Sequence, residues 1–392
     1  MNLLFVTSLD AFTSQVYLVE SILFLFFLFQ IVYLLIFTFG SLSKSRMIYP
    51  HAEQEARFAI LITAQSLDEA LLGTIRTLRE QDYSSDLVDL YVIGNVSDKS
   101  MIKGLSPQHV TFISADFSSK LEQTKRAMKV IQQKGVTYHM VLLVNSGNQF
   151  DSDYLTKINN AFYSGCFAIQ THRIIKDPAS DMQYLSAIGE EINNAIFRRG
   201  HTHLGFSSAL LESGMAFDFD IFSDFLKQAR GKMLSKELER YLLFRNVYIE
   251  YFEHAYVYDR ALIDKGFYQN RSRWQGNRLY NLFAGFYHLP TAMFNGQFDY
   301  CNKLLQWILP SRILLVILVF LLALFFSTTF LLLAIKWWIL FLLLLIIFCL
   351  AIPNYLVSNR LLHIMLTAPF LFVFLLFKQI PLPHLSAKKE KP

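Results

Sequence analysis

Apolar and polar positions divide this chain into stretches of two kinds. Four runs are apolar almost throughout: residues 22–39, 313–335, 337–357 and 361–377, the last broken by Pro369. About 20 apolar residues in helical conformation cross a bilayer core, so the first three runs have the length of transmembrane helices and the fourth is shorter. Gln30 is a tolerable polar insertion in the first run. A cleaved signal peptide fits that run poorly, because it follows Asp10 and Glu20 and lacks a small-x-small cleavage site. Little more than Lys336 separates the second and third runs, so "IKWW" predicts a tight hairpin with its lysine and tryptophans at an interface.

Residues 40–312 show shorter periods. "RFAILITA" (57–64) reads as a buried strand. "SLDEALLGTIRTLREQ" (66–81) follows at helical spacing, with Leu71, Leu72, Ile75 and Leu78 on one face and Ser66 with Glu69 as a capping box. Strands are predicted at 88–95 and 110–115, a polar helix at 118–133, and a buried strand at 141–144. Further on, 168–174 reads as a strand, 213–216 as a small-residue turn, and 235–259 as a helix followed by a strand. Alternating strands and helices imply an α/β fold with a mostly parallel sheet. The aromatic-rich stretch 267–289, entered through Arg271, Arg273 and Trp274, is suited to lying flat among lipid headgroups.

Composition narrows the class. An apolar fraction of 53% with 37 Phe is too rich for an ordinary cytosolic enzyme. The net charge of +5, with neither a basic stripe nor an aromatic RNA-binding motif, points to a membrane surface and away from nucleic acid. Cys166, Cys301 and Cys349 are far apart and form neither a disulfide framework nor a zinc spacing. No G-x-G-x-x-G follows the first strand, and no G-x-x-x-x-G-K-[ST] occurs, so dinucleotide and P-loop readings have no support. Lys44 and Arg46 after the first span put the soluble part on the cytoplasmic side. Three carboxy-terminal spans would then leave the tail "SAKKEKP" outside, against the positive-inside tendency, unless one segment is re-entrant or interfacial. A transporter is disfavoured, since only His363 is a clear ionisable group in the apolar runs.

Candidate chemistry lies at the end of the fourth strand, "VLLVNSGNQF" (141–150). Strands of open α/β sheets often end at active sites. A hard cation there requires oxygen ligands, yet Asn145 offers one neutral oxygen and Gly147 no side chain, and the same four residues also read as an ordinary turn. "RRGHTH" (198–203) is expected to be a solvated turn, and Glu190 with Glu191 a polar helix face.

The order of these parts resembles that of membrane-bound family-2 glycosyltransferases, over about residues 57–274. "SGMAF" is close to the family's acceptor loop, with Glu212 in place of its first Gly. "RSRW" is similar to the end of the family's Q-x-x-R-W motif, with Asn270 where Gln is expected. "LREQDYSSDLVDLYVIGNVSDKS" follows the family's rhythm of helix, Gln, Tyr, strand and turn. The resemblance implies a GT-A-like domain at 47–274, after an amino-terminal segment with one transmembrane helix (1–46). An amphipathic interface region (275–311) and about three carboxy-terminal transmembrane helices with a basic tail (312–392) would follow.

The departures from the family fall at its charged positions. Gly94 stands where an Asp would hold the nucleoside. Asn145-Ser146-Gly147 stands where Asp-x-Asp would hold Mg²⁺ or Mn²⁺. Leu234-Ser235 stands where a Glu-Asp pair would supply the general base, Thr63 replaces the Pro after the first strand, and Gln65-Ser66 replaces an Arg-Asn pair. A two-residue slide would offer Glu237 as base; Glu190 and Glu191 are further candidates. By resemblance, substrate binding falls to Asn145, Gly147, Arg173, Ser213, Gly214, Arg271, Arg273 and Trp274. Arg173, Arg271 and Arg273 could partly replace a cation's charge. The expectation is a degenerate, membrane-anchored transferase of a cell-surface polysaccharide or glycolipid system. It would contact membrane lipid and a nucleotide sugar and act as a binding or assembly partner in a membrane complex. No metal or other cofactor is expected, and Mg²⁺ or Mn²⁺ would belong only to a live site. The alternative is an active, metal-independent transferase acting on a membrane-proximal acceptor.

Overall fold

The computed structural model describes residues 2–43 (side chains from Gln15 on), 48–64, 66–94, 110–114, 119–230, 234–260, 283, 285–361 and 363. Arg271, Arg273, Trp274, the rest of 267–282 and nearly all of the fourth apolar run lie outside these residues.

The long helix α1 (Asn2–Leu42) leads into an eight-stranded sheet with the order β3-β2-β1-β4-β7-β6-β8-β5. Strands β1 (Phe58–Thr63), β2 (Val88–Gly94), β3 (Val110–Ser114) and β4 (Met140–Asn145) run parallel. β1 and β4 read as unbroken apolar runs because both sheet faces are covered. Phe58, Ile60 and Ile62 point into one core with α2 (Glu69–Arg79) and α4 (Tyr154–Tyr163). Ala59 and Leu61 point into the other, with α3 (Lys120–Gln133), α7 (Phe219–Gln228) and α8 (Leu234–Phe244). The period of two thus sorts neighbouring residues to opposite faces.

The other half of the sheet departs from a simple parallel plan. β6 (Ala168–Lys176) and β8 (Glu250–Arg260) are parallel, but β7 (Met215–Asp218) lies antiparallel between β4 and β6. The two-residue β5 (Gln149–Phe150) runs antiparallel on the outer edge of β8. The turn expected at 213–216 is therefore half strand. Met215 and Ala216 pair with Leu143 and Leu142, and the first three residues of this four-residue strand are buried between longer neighbours.

Helix α2 starts later than the pattern predicts. Its cap is Asp68, whose Oδ1 accepts the Leu71 N–H at 3.0 Å; Ser66 only donates to the other oxygen of Asp68. A carboxylate beside the free N–H groups of a helix start is favoured by the helix dipole over a hydroxyl.

Among the described residues, three helices are long and apolar enough to cross a membrane: residues Gln15–Leu42 within α1, Arg312–Thr329 and Leu331–Ala351. Before the latter two come α9 (Leu289–Phe294) and α10 (Phe298–Ile308), which send Ala292, Tyr300, Leu304 and Trp307 into the sheet core. Their outer surface exposes Met293, Phe294 and Phe298, and Tyr287 is exposed just before α9. We label the last two helices α11 (Arg312–Thr329) and α12 (Leu331–Ala351). The hairpin turn expected at Lys336 falls instead at Phe330. Lys336 sits inside α12 because its charge has a partner: Nζ lies 2.6 Å from Oε2 of Glu20 on α1.

Helix α5 (Asp181–Asn193) binds both ends of this hairpin to the domain. Arg312 donates to the Gly189 carbonyl at 2.8 Å, and beyond α12 the Arg360 guanidinium reaches Asp181 at 3.1 Å. The chain therefore returns to the soluble domain after α12.

The stretch "RRGHTH" is not a solvated turn. It forms the end of a π-helical segment (Asn194–Arg199) and α6 (Gly200–His203) against α1, with Arg198 and His201 buried. Arg198 and His201 find partners inside the protein: Arg198 donates to Glu190 at 3.0 Å, and His201 Nε2 lies 3.0 Å from the Tyr33 hydroxyl. Gly200 permits the contact, since a Cβ there would meet the Phe37 carbonyl oxygen at 2.0 Å.

Candidate functional site

The strand order reverses at β1, with β2 and β3 on one side of it and β4 on the other, and the carboxyl ends of β1 and β4 form the switch point where open α/β sheets place ligands. Thr63 and Asn145 are direct partners there. Both Asn145 and the turn after it are fixed by hydrogen bonds. The Thr63 hydroxyl lies 2.9 Å from Asn145 Oδ1, and the Lys120 ammonium, on the first residue of α3, donates to the same oxygen at 2.8 Å. Lys120 also donates to the Glu212 backbone carbonyl. Asn148, fully buried, accepts the Asn145 N–H at 2.8 Å and the Ser213 hydroxyl with its one side-chain oxygen. Gly147 gives its N–H to Thr74 of α2 at 2.9 Å.

The small-residue loop is anchored equally firmly. Gly214 donates to Leu143 and accepts from Thr171 on β6, both at 2.9 Å. Its φ of +65° favours glycine, and a Cβ there would meet Thr171 Oγ1 at 2.5 Å. Gln170 holds the loop from beneath, taking the Leu211 N–H at 2.7 Å and donating to the Ser213 and Gly214 carbonyls. Asn145, Gly147, Ser213 and Gly214 therefore meet in one cluster.

Arg173 lies one strand further along, and its guanidinium grips Asp259 of β8, with Nε 2.8 Å from Oδ2. Burial works against the Arg173 charge, but Asp259, Glu190 and Glu212 outweigh it and raise its pKa. Burial pulls the Lys120 ammonium below its ordinary value; Glu212 and Asp259 oppose that pull and Arg173 adds to it. These side chains thus share one electrostatic environment. Beside it opens a cavity of about 400 Å³, lined by Gln149, Lys176, Asp177, Gln183, Tyr258 and Asp259.

The candidate bases are engaged elsewhere. Glu237, on α8, accepts the Arg230 N–H at 2.8 Å. Glu190 holds Arg198, and Glu191 accepts from His172 Nε2 at 3.0 Å and from Asn194 at 2.9 Å. Glu190 and Glu191 are therefore mostly buried structural partners, not the open polar face that the pattern predicts. Burial would raise the Glu191 pKa, but its bonds to His172 and Asn194 bring it below the ordinary value.

The donor set at the strand end does not fit a divalent cation. The single Asn145 side-chain oxygen already receives two donors, one of them cationic, and that of Asn148 receives two more. Among the described residues, nowhere do three His, Cys, Asp or Glu side chains come together to hold a metal. Lys120 and Asp259 were not legible as site residues. Periodicity marks apolar faces, and a lysine opening a polar helix carries no such mark.

Comparison with solved structures places the fold. The chain is similar to the mannosyltransferase PcManGT from Pyrobaculum calidifontis, solved in complex with GDP-Man and Mn²⁺. The TM-score is 0.52 at 11% identity, over 82% of this chain and 94% of that one. S. aureus TarS 1–349 aligns less fully, at a TM-score of 0.35 and 12% identity over 52% of this chain and 60% of that one. Its complex with UDP gives a TM-score of 0.36, at 12% identity over 57% of this chain and 65% of that one. No family model and no curated protein matches the chain. The fold is similar to that of the mannosyltransferase.

Proposed function

We propose that this chain is a membrane-anchored, glycosyltransferase-like protein of a cell-surface polysaccharide or glycolipid system that has left metal-dependent sugar transfer. It works as a binding or assembly partner in a membrane complex. The observation that carries this reading is the hydrogen bonding of Asn145: its side-chain oxygen is taken by Thr63 and by the Lys120 ammonium. Inverting sugar transfer needs a base for the acceptor and positive charge for the leaving diphosphate. A hard cation is held by carboxylates and phosphates, and neither Asn145 nor Gly147 brings a carboxylate.

The membrane seat rests on three apolar helices, on the exposed aromatic surface around α9, and on Lys44 and Arg46 after the first span. The last of these favours a cytoplasmic soluble domain. Nucleotide-sugar binding is proposed from the fold, since the similar mannosyltransferase was solved with GDP-Man.

The alternative, a metal-independent transferase, draws on the presence of Lys120 at the strand end. It lacks an uncommitted base, because Glu237 accepts a backbone N–H. Calorimetric titration of the full-length protein with a panel of nucleotide sugars, with and without Mn²⁺, tests both readings when product formation is followed in parallel. The leading reading expects no turnover in either condition. Mn²⁺-dependent turnover overturns it. Metal-free turnover lost in Glu237→Gln establishes the alternative.

A further inference from the structure

Helix α5 is fixed to the membrane hairpin along its length. Tyr184, Ile188 and Ile192 pack in one apolar cluster with α11 and α12, and Arg312 binds the Gly189 carbonyl at 2.8 Å. The strand before it, β6, belongs to the sheet. Residues 177–180 join the two, so a shift of the hairpin against the sheet passes into this loop. Asp177 has a φ of +51°, a left-handed conformation uncommon outside glycine. The loop is also part of the rim of the cavity of about 400 Å³. Lys176, Asp177, Ala179 and Gln183 make one wall, and Tyr258 and Asp259 of β8 stand in the other. The Lys176 ammonium lies 5.3 Å from the centre of the Tyr258 ring, within cation–π range.

The chain after α12 lies on that loop. Leu356 and Leu361 are buried with the hairpin, and the Leu356 carbonyl accepts the Tyr184 hydroxyl. Between these anchors Arg360 spreads its guanidinium over three acceptors: the Pro178 carbonyl at 2.9 Å, the Ala179 carbonyl at 3.0 Å and the Asp181 carboxylate at 3.1 Å. Its charge also sits 5.0 Å from the centre of the Tyr184 ring. From the other side Gln183 Oε1 accepts the Ala179 N–H at 2.8 Å and the Ser180 N–H at 3.2 Å. One side chain from the membrane segment therefore holds two backbone carbonyls of the rim.

We propose that residues 354–361 are a strap through which the membrane hairpin sets the opening of this cavity. Arg360 makes the rim loop part of the membrane body. A tilt of the hairpin then carries Pro178 and Ala179 with it, toward or away from Tyr258, instead of being absorbed at Asp177. Helices that span a bilayer tilt to match the thickness of its hydrocarbon layer, so the signal that the strap transmits is the state of the membrane. The strap acts on the rim beyond β6 and β8, whether or not the end of β4 takes a metal ion.

The test uses the full-length chain in phosphatidylcholine nanodiscs with shorter and with longer acyl chains, beside Arg360→Ala in the same two bilayers. Hydroxyl-radical oxidation of Tyr258 reports access to the cavity, and amide exchange over 177–183 reports the hold on the loop. In the unaltered protein, oxidation of Tyr258 is expected to differ at least about twofold between the two bilayers. In Arg360→Ala that difference should vanish, and exchange over 177–183 should quicken at least about fivefold, with exchange over β1 and β4 unchanged. Should Arg360→Ala fail to fold, the comparison of bilayers in the unaltered protein decides alone. Equal oxidation of Tyr258 in the two bilayers overturns the proposal. So does a bilayer difference that survives in Arg360→Ala, which a merely structural arginine would allow, or exchange over 177–183 that the variant leaves as it was.

Discussion

The indole of Trp337 donates to the carboxylate of Glu20 at 2.8 Å, across the contact between α12 and α1. The other carboxylate oxygen takes Lys336, and Tyr17 meets Phe330 of the hairpin turn with ring centroids 5.8 Å apart. One acidic residue thus fastens the amino-terminal helix to the carboxy-terminal hairpin at the end remote from the soluble domain. Removing it leaves a half-buried lysine and a buried indole without their acceptor. Glu20→Ala is expected to lower the melting temperature in detergent, by an amount equivalent to about 1–3 kcal/mol. The double variant Glu20→Leu with Lys336→Leu should recover much of this, because an apolar pair of similar size often replaces a buried ion pair without loss. An unchanged melting temperature in Glu20→Ala contradicts the fastening role.

Gly200 governs the other seat of the domain on α1. Its Cα faces the Phe37 carbonyl so closely that a Cβ must displace backbone, not a side-chain tip. Gly200→Ala is expected to cost about 1–3 kcal/mol, the usual range for overpacking. It should also loosen the hydrogen bond of His201 to Tyr33. Hydrogen exchange at 196–203 reads this directly: exchange should quicken in the variant, and unchanged protection would show that the two backbones are not in contact.

Glu250, at the start of β8, has its pKa raised to about 7 by burial, against a smaller opposing effect from the Tyr251 N–H. Its Oε1 has no hydrogen-bond partner. Between the ordinary carboxylate value and about 7 the folded chain holds a proton that the unfolded chain has released. Stability therefore falls as pH rises through that window and levels off above it. Glu250→Gln removes this loss. The variant should match the unaltered protein near pH 4 and exceed it at pH 8, by at most about 3 kcal/mol. A gap that does not grow with pH rules out this assignment.

The parallel half of the sheet was legible because its residues obey one rule each. β1, α2, β2, β3, α3 and β4 come within a few residues of the stretches predicted from apolar runs and helical spacing. What escaped was polar and long-range. β7 is only four residues long, and its flanking small residues mimic a turn; it is a strand because β4 and β6 leave one slot between them. The cluster "RRGHTH" looked solvated because its partners Glu190 and Tyr33 are distant in sequence or on another helix. Lys120 is the same case at the site, since nothing local says that a lysine 25 positions before Asn145 will meet its side chain.

The account turns on whether the strand end holds a divalent cation, and the paramagnetic resonance signal of free Mn²⁺ reads that most directly. The full-length protein is titrated with Mn²⁺, alone and with UDP or GDP, against nucleotide without protein. With Asn145 Oδ1 committed to Thr63 and Lys120, the protein should take up no Mn²⁺ at the strand end beyond what the nucleotide binds by itself, and Asn145→Ala should change nothing. Uptake of one Mn²⁺ per chain that disappears in Asn145→Ala would contradict the account.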